Sequence, residues 1–140
     1  MIEVTRRYRF PAAHVLAVPT ASDAWNRRTY GKCANPAGHG HDYGVEVTVE
    51  GPVDERSGRV VDPARLDALF EAHVASRLAH RLLNDAPLFA ARGLVPTAEN
   101  IARVVFDELA APIAAEGAAR LRRVRIVETR RNSFEYGEPA

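Results

Sequence analysis

The chain is organised around residues 33–43, with the sequence 33-CANPAGHGHDY-43, which contain its only cysteine and two of its five histidines. The residues that follow, 43-YGVEVTVE-50, alternate between apolar and polar side chains, a pattern typical of a half-buried strand over residues 39–50. Side chains two apart on a strand share a face, so His39 and His41 lie on the apolar face. Two imidazoles placed in this way can chelate one metal ion.

A third histidine ends the first predicted strand, residues 2–14. Tyr8 and Phe10 occupy the same alternate positions as His14, which places its imidazole on the apolar side of that strand. If the first two strands pair as an antiparallel hairpin, the three imidazoles converge. Three neutral nitrogen ligands with an open fourth position are typical of a catalytic zinc site. The alternative for residues 39–41 is a histidine-rich loop that binds no metal.

Two helices are predicted in the middle of the chain. Asp62 and Pro63 suit the N-cap and the first position of a helix, and an apolar stripe continues from there to Leu78. Thr97 suits the N-cap of the second helix, which Pro112 and Gly117 are expected to close or kink.

The remaining strands complete the predicted fold. Residues 123–128 and 133–136 read as strands three and four, whereas residues 15–38 and 84–96 contain prolines and glycines and are predicted to be irregular. The order ββααββ predicts an α+β fold, a four-stranded antiparallel sheet with two helices on one face. A single domain over residues 1–140 is expected from the length.

Glu128 is a further candidate for a functional site. It shares a face with Val124 and Ile126 of the third strand. A carboxylate on an apolar face must find a partner or shift its pKa. Both outcomes are typical of residues in binding and catalytic sites.

The composition argues against two classes of partner. Nineteen Lys and Arg residues face 18 Asp and Glu residues, and the net charge of +1 disfavours a nucleic-acid binder. No apolar run approaches the ~20 residues needed to span a bilayer, so no membrane partner is expected. A single cysteine cannot form an intramolecular disulfide, which fits a cytoplasmic location.

Several motifs together resemble the 6-pyruvoyltetrahydropterin synthase / 6-carboxytetrahydropterin synthase family. They are the segment ending at His14, the Cys33-x5-His39-Gly-His41-x-Tyr43 pattern, and the segments 60–62, 78–84, 96–100 and 127–129. The resemblance implies the tunnelling fold, in which sheets close into barrels by oligomerisation. It also implies a homo-hexamer, a pair of trimers, with active sites between subunits.

The resemblance further implies a lyase that acts on 7,8-dihydroneopterin triphosphate with Zn²⁺ as cofactor. Zinc would be held by His14, His39 and His41, and Cys33 matches the cysteine that accepts a proton. His80 matches the acid–base partner of that cysteine. Glu128 matches the glutamate that binds the pterin and joins the proton relay. Thr97 and Glu99 match positions near the pterin pocket.

Two features bear on the product and on the activity. The Cys-x5-His spacing resembles the pyruvoyl-forming branch. The arginine-rich composition suggests a bacterial source, which favours 6-carboxy-5,6,7,8-tetrahydropterin, a precursor of queuosine. We expect the 6-carboxy product, with 6-pyruvoyltetrahydropterin as the alternative. Family members usually carry Asp before His80, but this chain has Ala79. Asp85 or an acid of another subunit could take its place; otherwise the chain would be a weakly active paralogue that binds zinc and pterin.

Overall fold

The computed structural model describes residues 1–139. In chain order its elements are β1 (Ile2–His14), α1 (Asp23–Tyr30), β2 (His39–Gly51), α2 (Pro63–Phe70), α3 (Ser76–Leu78), α4 (Pro87–Ala90), α5 (Ala98–Ala115), β3 (Arg120–Val127) and β4 (Ser133–Gly137). Short 3₁₀ turns cover Gly31–Ala34 and Leu83–Asp85, and a π-helical turn, Glu71–Ala75, joins α2 to α3. Within the described residues, no helix is both long enough and apolar enough to cross a membrane.

The four strands form one antiparallel sheet in the order β1-β2-β3-β4, which confirms the predicted sheet. The long hairpin of β1 and β2 pairs His14 with His39 and Ala12 with His41. This register brings the end of β1 and the start of β2 to one corner of the sheet. The three histidines of the predicted metal site therefore meet there.

The helices cover only one face of the sheet. The Asp62 side chain accepts a hydrogen bond from the backbone N–H of Ala64, and the Thr97 side chain accepts one from Asn100, so both predicted N-caps are confirmed. The continuous helical segment from α2 to α3 and the helix α5 bury an apolar core against the sheet. Among its largest fully buried side chains are Phe10, Tyr43, Leu66, Phe89, Ile101 and Leu109.

The opposite face of the sheet carries polar side chains joined by ion pairs. Arg9 donates to Asp42 over 2.8 Å and Arg7 donates to Glu46 over 3.1 Å. Alternation along each strand explains this face, because the neighbours of core residues point away from the helices. Exposed ion pairs of this kind typically contribute only about 0–1 kcal/mol each.

The prediction that residues 15–38 are irregular is wrong, because α1 forms within them. Ser22 caps this helix by accepting a hydrogen bond from the backbone N–H of Trp25. The buried Asn26 side chain anchors the helix, since its oxygen accepts from the backbone N–H of Val18 and its nitrogen donates to the Val18 carbonyl. Tertiary contact thus stabilises a helix too short to be stable alone.

Helix α5 ends at Ala115, between Pro112 and Gly117, the two residues predicted to close it. Pro112 is in its last turn, where a proline removes only one backbone hydrogen bond. Two other features differ from the predictions. Residues 84–96 contain the short helix α4, which begins at Pro87. Strand β3 begins at Arg120 and ends at Val127, which leaves Glu128 one residue beyond it.

Candidate metal centre and active site

The three predicted ligands come together at the corner of the sheet. One ligand atom from each of His14, His39 and His41 lies within 4.8 Å of the others. The Nε2 atoms of His14 and His39 are 2.8 Å apart. The group combines the last residue of β1 with two residues of β2 that share a face, so the sheet geometry brings the three side chains together.

The environment of His14 fixes which of its nitrogens is available. Its Nδ1 lies 2.8 Å from the carbonyl oxygen of Pro96, and since a carbonyl only accepts, Nδ1 carries the proton and donates. The Tyr43 hydroxyl lies 3.1 Å from the same nitrogen. The lone pair of Nε2 is therefore free to face a metal, an arrangement typical of metal-bound histidines.

Burial keeps these imidazoles in the form that binds metals. It lowers the pKa of His14 to about 4, against a partial opposing effect of the Pro96 carbonyl and with added repulsion from His39 and His41. Burial also lowers the pKa of His39, and the charges of His41 and Lys32 lower it further. At neutral pH both rings are therefore uncharged, and each can bind a metal through a nitrogen lone pair.

One atom of the group marks it as a site that binds a ligand. His41 Nε2 is buried, and it has no hydrogen-bond partner among residues 1–139. A buried polar atom without a hydrogen-bond partner destabilises the folded state unless a ligand binds it. A metal ion bound by the three imidazoles would satisfy it. The residues present therefore fit one metal ion with three nitrogen ligands and a position open to substrate.

Two predicted catalytic residues act electrostatically on Tyr43, whose hydroxyl lies beside His14. The half-buried Cys33 lies in the 3₁₀ turn before β2, and its carbonyl accepts a hydrogen bond from Leu16 N–H at 2.9 Å, which ties the turn to the end of β1. The pKa of Tyr43 is raised by burial and then by the charges of Glu128 and Cys33. Both groups are thus close enough to the Tyr43 hydroxyl to act on it electrostatically.

Glu128 shows the perturbed pKa expected of a carboxylate at the end of an apolar strand face. It is half-buried, and burial raises its pKa. The charge of His41 opposes this shift and the charge of Glu99 adds to it. Glu128 is therefore close enough to His41 and Glu99 for their charges to act on it.

Thr97 and Glu99 both belong to the start of α5. The Thr97 hydroxyl is engaged as the N-cap, so the structure shows a structural function for it. Glu99 is exposed in the first turn, where a carboxylate also favours the helix dipole. Of the two side chains, only Glu99 remains free for a substrate.

His80 is exposed on the segment that follows α3. Its backbone has a φ of 61°, a left-handed conformation that costs a non-glycine residue about 1–2 kcal/mol. The conformation is held by a 2.7 Å hydrogen bond from His80 N–H to the Pro11 carbonyl, and Ala13 N–H donates to the Arg81 carbonyl next to it. Among residues 1–139, no hydrogen bond joins His80 to Cys33 or Glu128. His80 and His41 line one open surface depression, so the single chain brings His80 near the histidines without a hydrogen bond to either predicted partner.

The Tyr43 hydroxyl and the Pro96 carbonyl are parts of the site that the sequence did not identify as such. Tyr43 was placed on the face of His39 and His41 by alternation, which is the signal for its hydroxyl. The Pro96 carbonyl is a backbone group, and nothing in the sequence distinguishes it from any other. It reaches His14 only because the connection before α5 folds over the end of β1.

This chain is similar to proteins of one family over nearly its whole length. Residues 3–139 match the family model described as 6-pyruvoyl tetrahydropterin synthase. The 6-pyruvoyl tetrahydrobiopterin synthase of Drosophila melanogaster is 39% identical over 137 residues, which are 97% of this chain and 79% of that protein. A protein of Archaeoglobus fulgidus provisionally named 6-carboxy-5,6,7,8-tetrahydropterin synthase is 37% identical over 90 residues, which are 64% of this chain and 67% of that protein.

The fold leads to the same family. The solved structure of Caenorhabditis elegans 6-pyruvoyl tetrahydropterin synthase superposes with a TM-score of 0.89 at 37% identity, covering 99% of this chain and 96% of its own. The tunnelling fold expected from the resemblance is confirmed by this match. The expectation of an enzyme is also confirmed, since the relatives are tetrahydropterin synthases. The chain belongs to the 6-pyruvoyl tetrahydropterin synthase family.

Proposed function

We propose that the chain is a zinc-dependent 6-pyruvoyl tetrahydropterin synthase, a lyase that acts on 7,8-dihydroneopterin triphosphate and eliminates its triphosphate. The observation that carries the proposal is the convergence of three imidazoles, one of which has a buried Nε2 without a hydrogen-bond partner among residues 1–139. Cys33 and Glu128 are close enough to the neighbouring Tyr43 for their charges to raise its pKa. A site with three nitrogen ligands and a neighbouring thiol and carboxylate suits proton transfer on a polarised substrate.

The comparisons favour the 6-pyruvoyl product over the 6-carboxy product that we put first from the sequence. The match to the Drosophila 6-pyruvoyl enzyme covers 97% of this chain, whereas the match to the archaeal protein with the 6-carboxy name covers 64%. The Cys33-x5-His39 spacing points in the same direction. The 6-carboxy product and the inactive paralogue are therefore outcomes that the test must distinguish.

The protein residues have separable functions in this proposal. Bound zinc would supply a Lewis acid that polarises the side-chain oxygens of the substrate and so acidifies the neighbouring C–H. Cys33 as the thiolate takes the proton from that carbon. Glu128 pairs with two parallel N–H donors on the pterin edge, a strong bidentate contact that orients the ring. His80 serves as the acid–base partner of Cys33.

His80 requires a second copy of the chain to complete the site. Among residues 1–139 no hydrogen bond joins it to Cys33, and the family resemblance places active sites between subunits. The edge strands β1 and β4 each have one strand neighbour within residues 1–139, and such edges can pair with another chain. Ile2 on β1 is 51% exposed and Tyr136 on β4 is 38% exposed. We infer that these edges join to close a barrel.

We therefore expect a hexamer, a pair of trimers, in solution. Light scattering coupled to size-exclusion chromatography should give a mass near six times the 15.4 kDa of one chain. A mass of three chains would keep the barrel but remove the pairing of trimers. A mass of one chain at micromolar concentration would contradict the proposal that the site lies between subunits.

Release of triphosphate tests the reaction class, since both family reactions lose it. Zinc-loaded protein incubated with 7,8-dihydroneopterin triphosphate and Mg²⁺ should release inorganic triphosphate, which ion chromatography separates from phosphate and pyrophosphate. Protein stripped of metal by a chelator should release none, and added zinc should restore the release. Release that is equal with and without zinc would contradict a zinc-dependent lyase.

A further inference from the structure

The outer edge of β1 is covered by another part of the chain at one end only. The N–H of His80 donates to the Pro11 carbonyl over 2.7 Å, and the N–H of Ala13 donates to the Arg81 carbonyl over 2.9 Å. The segment around His80 and Arg81 therefore occupies the edge from Pro11 onwards, and we call it the edge stop. Among residues 1–139, no backbone hydrogen bond reaches the outer edge over residues 2–9.

Alternation along β1 shows which backbone groups point outwards in this free part. Pro11 and Ala13, which bond to the edge stop, are both odd-numbered. Because the pairing of β1 with β2 is regular throughout, the other odd-numbered residues also point their N–H and C=O groups away from β2. In the free part these residues are Glu3, Thr5, Arg7 and Arg9.

The outer edge of β4 has a matching set of groups. Glu138, just after this strand, donates its N–H to the Arg122 carbonyl of β3 over 3.1 Å. Because the pairing of β3 with β4 is also regular, the even-numbered residues bond to β3. The odd-numbered residues point outwards, and they are Ser133, Glu135 and Gly137. Rotation of a copy about a barrel axis keeps the strand directions, so β4 of one copy runs antiparallel to β1 of the next.

Two conditions limit how these edges pair. The outward backbone groups of both strands are odd-numbered and their core-facing side chains are even-numbered, so odd positions must lie opposite odd positions. Placing the partner's Glu135 opposite Glu3 would oppose two carboxylates. Placing it opposite Arg9 would put the partner's Ser133 opposite Pro11, which has no N–H and is occupied by the edge stop.

Charge and packing select between the two remaining positions, Thr5 and Arg7. The side chain of Arg7 is 79% exposed, and its charge is opposite to that of the partner's carboxylate. Its Nε donates to Glu46 over 3.1 Å, and among residues 1–139 its other N–H groups have no hydrogen-bond partner. The same register places the partner's Phe134 opposite Tyr8 on the core face, an aromatic cross-strand pair.

We propose that β4 of a second copy pairs with β1 in the register that places the partner's Glu135 opposite Arg7, and that the edge stop sets this register. The inference rests on the proposed function, in which the sheet edges join to close a barrel. The start of the partner's β4 then lies beside the edge stop. Because the turn before that strand follows the partner's Glu128, the pairing brings His80 to the neighbouring site.

Paired cysteines distinguish the three registers. Arg7→Cys with Glu135→Cys should form a disulfide, because the Cα atoms of such a pair are about 5.5 Å apart. Thr5→Cys and Arg9→Cys, each with Glu135→Cys, are the matched controls. A shift of two residues is about 7 Å along a strand, so these pairs should link at least about tenfold less. Two strands separate β1 from β4 within one chain, so any link joins two chains.

All three pairs are made in the Cys33→Ala background, since linkage needs no turnover, and are read by mass spectrometry of the linked peptides. Linkage of the Thr5 or the Arg9 pair in place of the Arg7 pair would overturn the register. No linkage in any pair would overturn the pairing of these two edges. An inactive zinc-loaded wild type would contradict the proposed function, and the links would still decide the register.

A second measurement covers the case in which a cysteine variant does not fold. Glu135→Arg places like charges opposite each other, and light scattering over a dilution series should show an about fivefold higher dissociation constant at each interface. Glu55→Arg makes the same change of charge in the exposed turn after β2 and should match the wild type. Equal dissociation constants in the two variants would overturn the contact with Arg7.

Discussion

Turnover of 7,8-dihydroneopterin triphosphate is expected to fall by about 10²–10⁴-fold in the Cys33→Ala variant, the range that a positioned acid–base group typically contributes. The thiol is half-buried in the turn before β2, close enough to Tyr43 to affect its pKa. Alanine removes the sulfur and leaves the backbone carbonyl that holds Leu16. Steady-state kinetics with excess zinc would measure the loss.

The zinc content separates a chemical function of Cys33 from a structural one. The three nitrogen ligands do not include the thiol, so Cys33→Ala should retain about as much zinc as the wild type. Ala37→Ser, at an exposed position in the same segment, is the matched control and should leave both turnover and zinc unchanged. Wild-type turnover in Cys33→Ala would remove the cysteine from the mechanism.

Zinc itself is expected to be lost in the His39→Ala variant. Removing one of three imidazoles leaves two protein ligands, too few for the three that catalytic zinc sites typically use. Because changes to the surroundings of a metal ligand alone typically cost 10–100-fold in affinity, loss of a ligand should cost at least about 100-fold. Elemental analysis after dialysis against a weak chelator should give near one zinc per chain for the wild type and close to none for the variant.

His73→Ala provides the matched control for this experiment. His73 is a half-buried histidine in the π-helical turn after α2 and does not belong to the group of three. It should retain the wild-type zinc content, which would show that the loss is specific to the corner of the sheet. Full zinc retention in His39→Ala would contradict the ligand assignment, and equal loss in both variants would point to a general effect on folding.

The sequence was sufficient to predict the parts of the site that strand geometry controls. Alternation has a fixed period of two, so the shared face of His39, His41 and Tyr43 follows from the residues alone. His14 needed one further assumption, the hairpin pairing of β1 with β2, and the observed register of His14 with His39 agrees with it. The N-caps at Asp62 and Thr97 were also local signals.

The remaining features depend on contacts between distant parts of the chain. Helix α1 is stabilised by the hydrogen bonds that Asn26 forms with Val18. The surrounding prolines and glycines indicated an irregular segment, although Ser22 before Asp23 was a usable N-cap signal. The position of His80 depends on hydrogen bonds to the edge of β1 at Pro11 and Ala13, for which no local pattern exists. Tertiary contact overrides propensity in both cases.

The product of the reaction is the most direct test of the central proposal. Mass spectrometry of the pterin formed when zinc-loaded protein is incubated with 7,8-dihydroneopterin triphosphate and Mg²⁺ should identify 6-pyruvoyltetrahydropterin. A 6-carboxy-5,6,7,8-tetrahydropterin product would contradict that choice and support the 6-carboxy product instead. Untouched substrate, with one zinc per chain confirmed in the same sample, would contradict the enzyme itself and leave a protein that binds zinc without this activity.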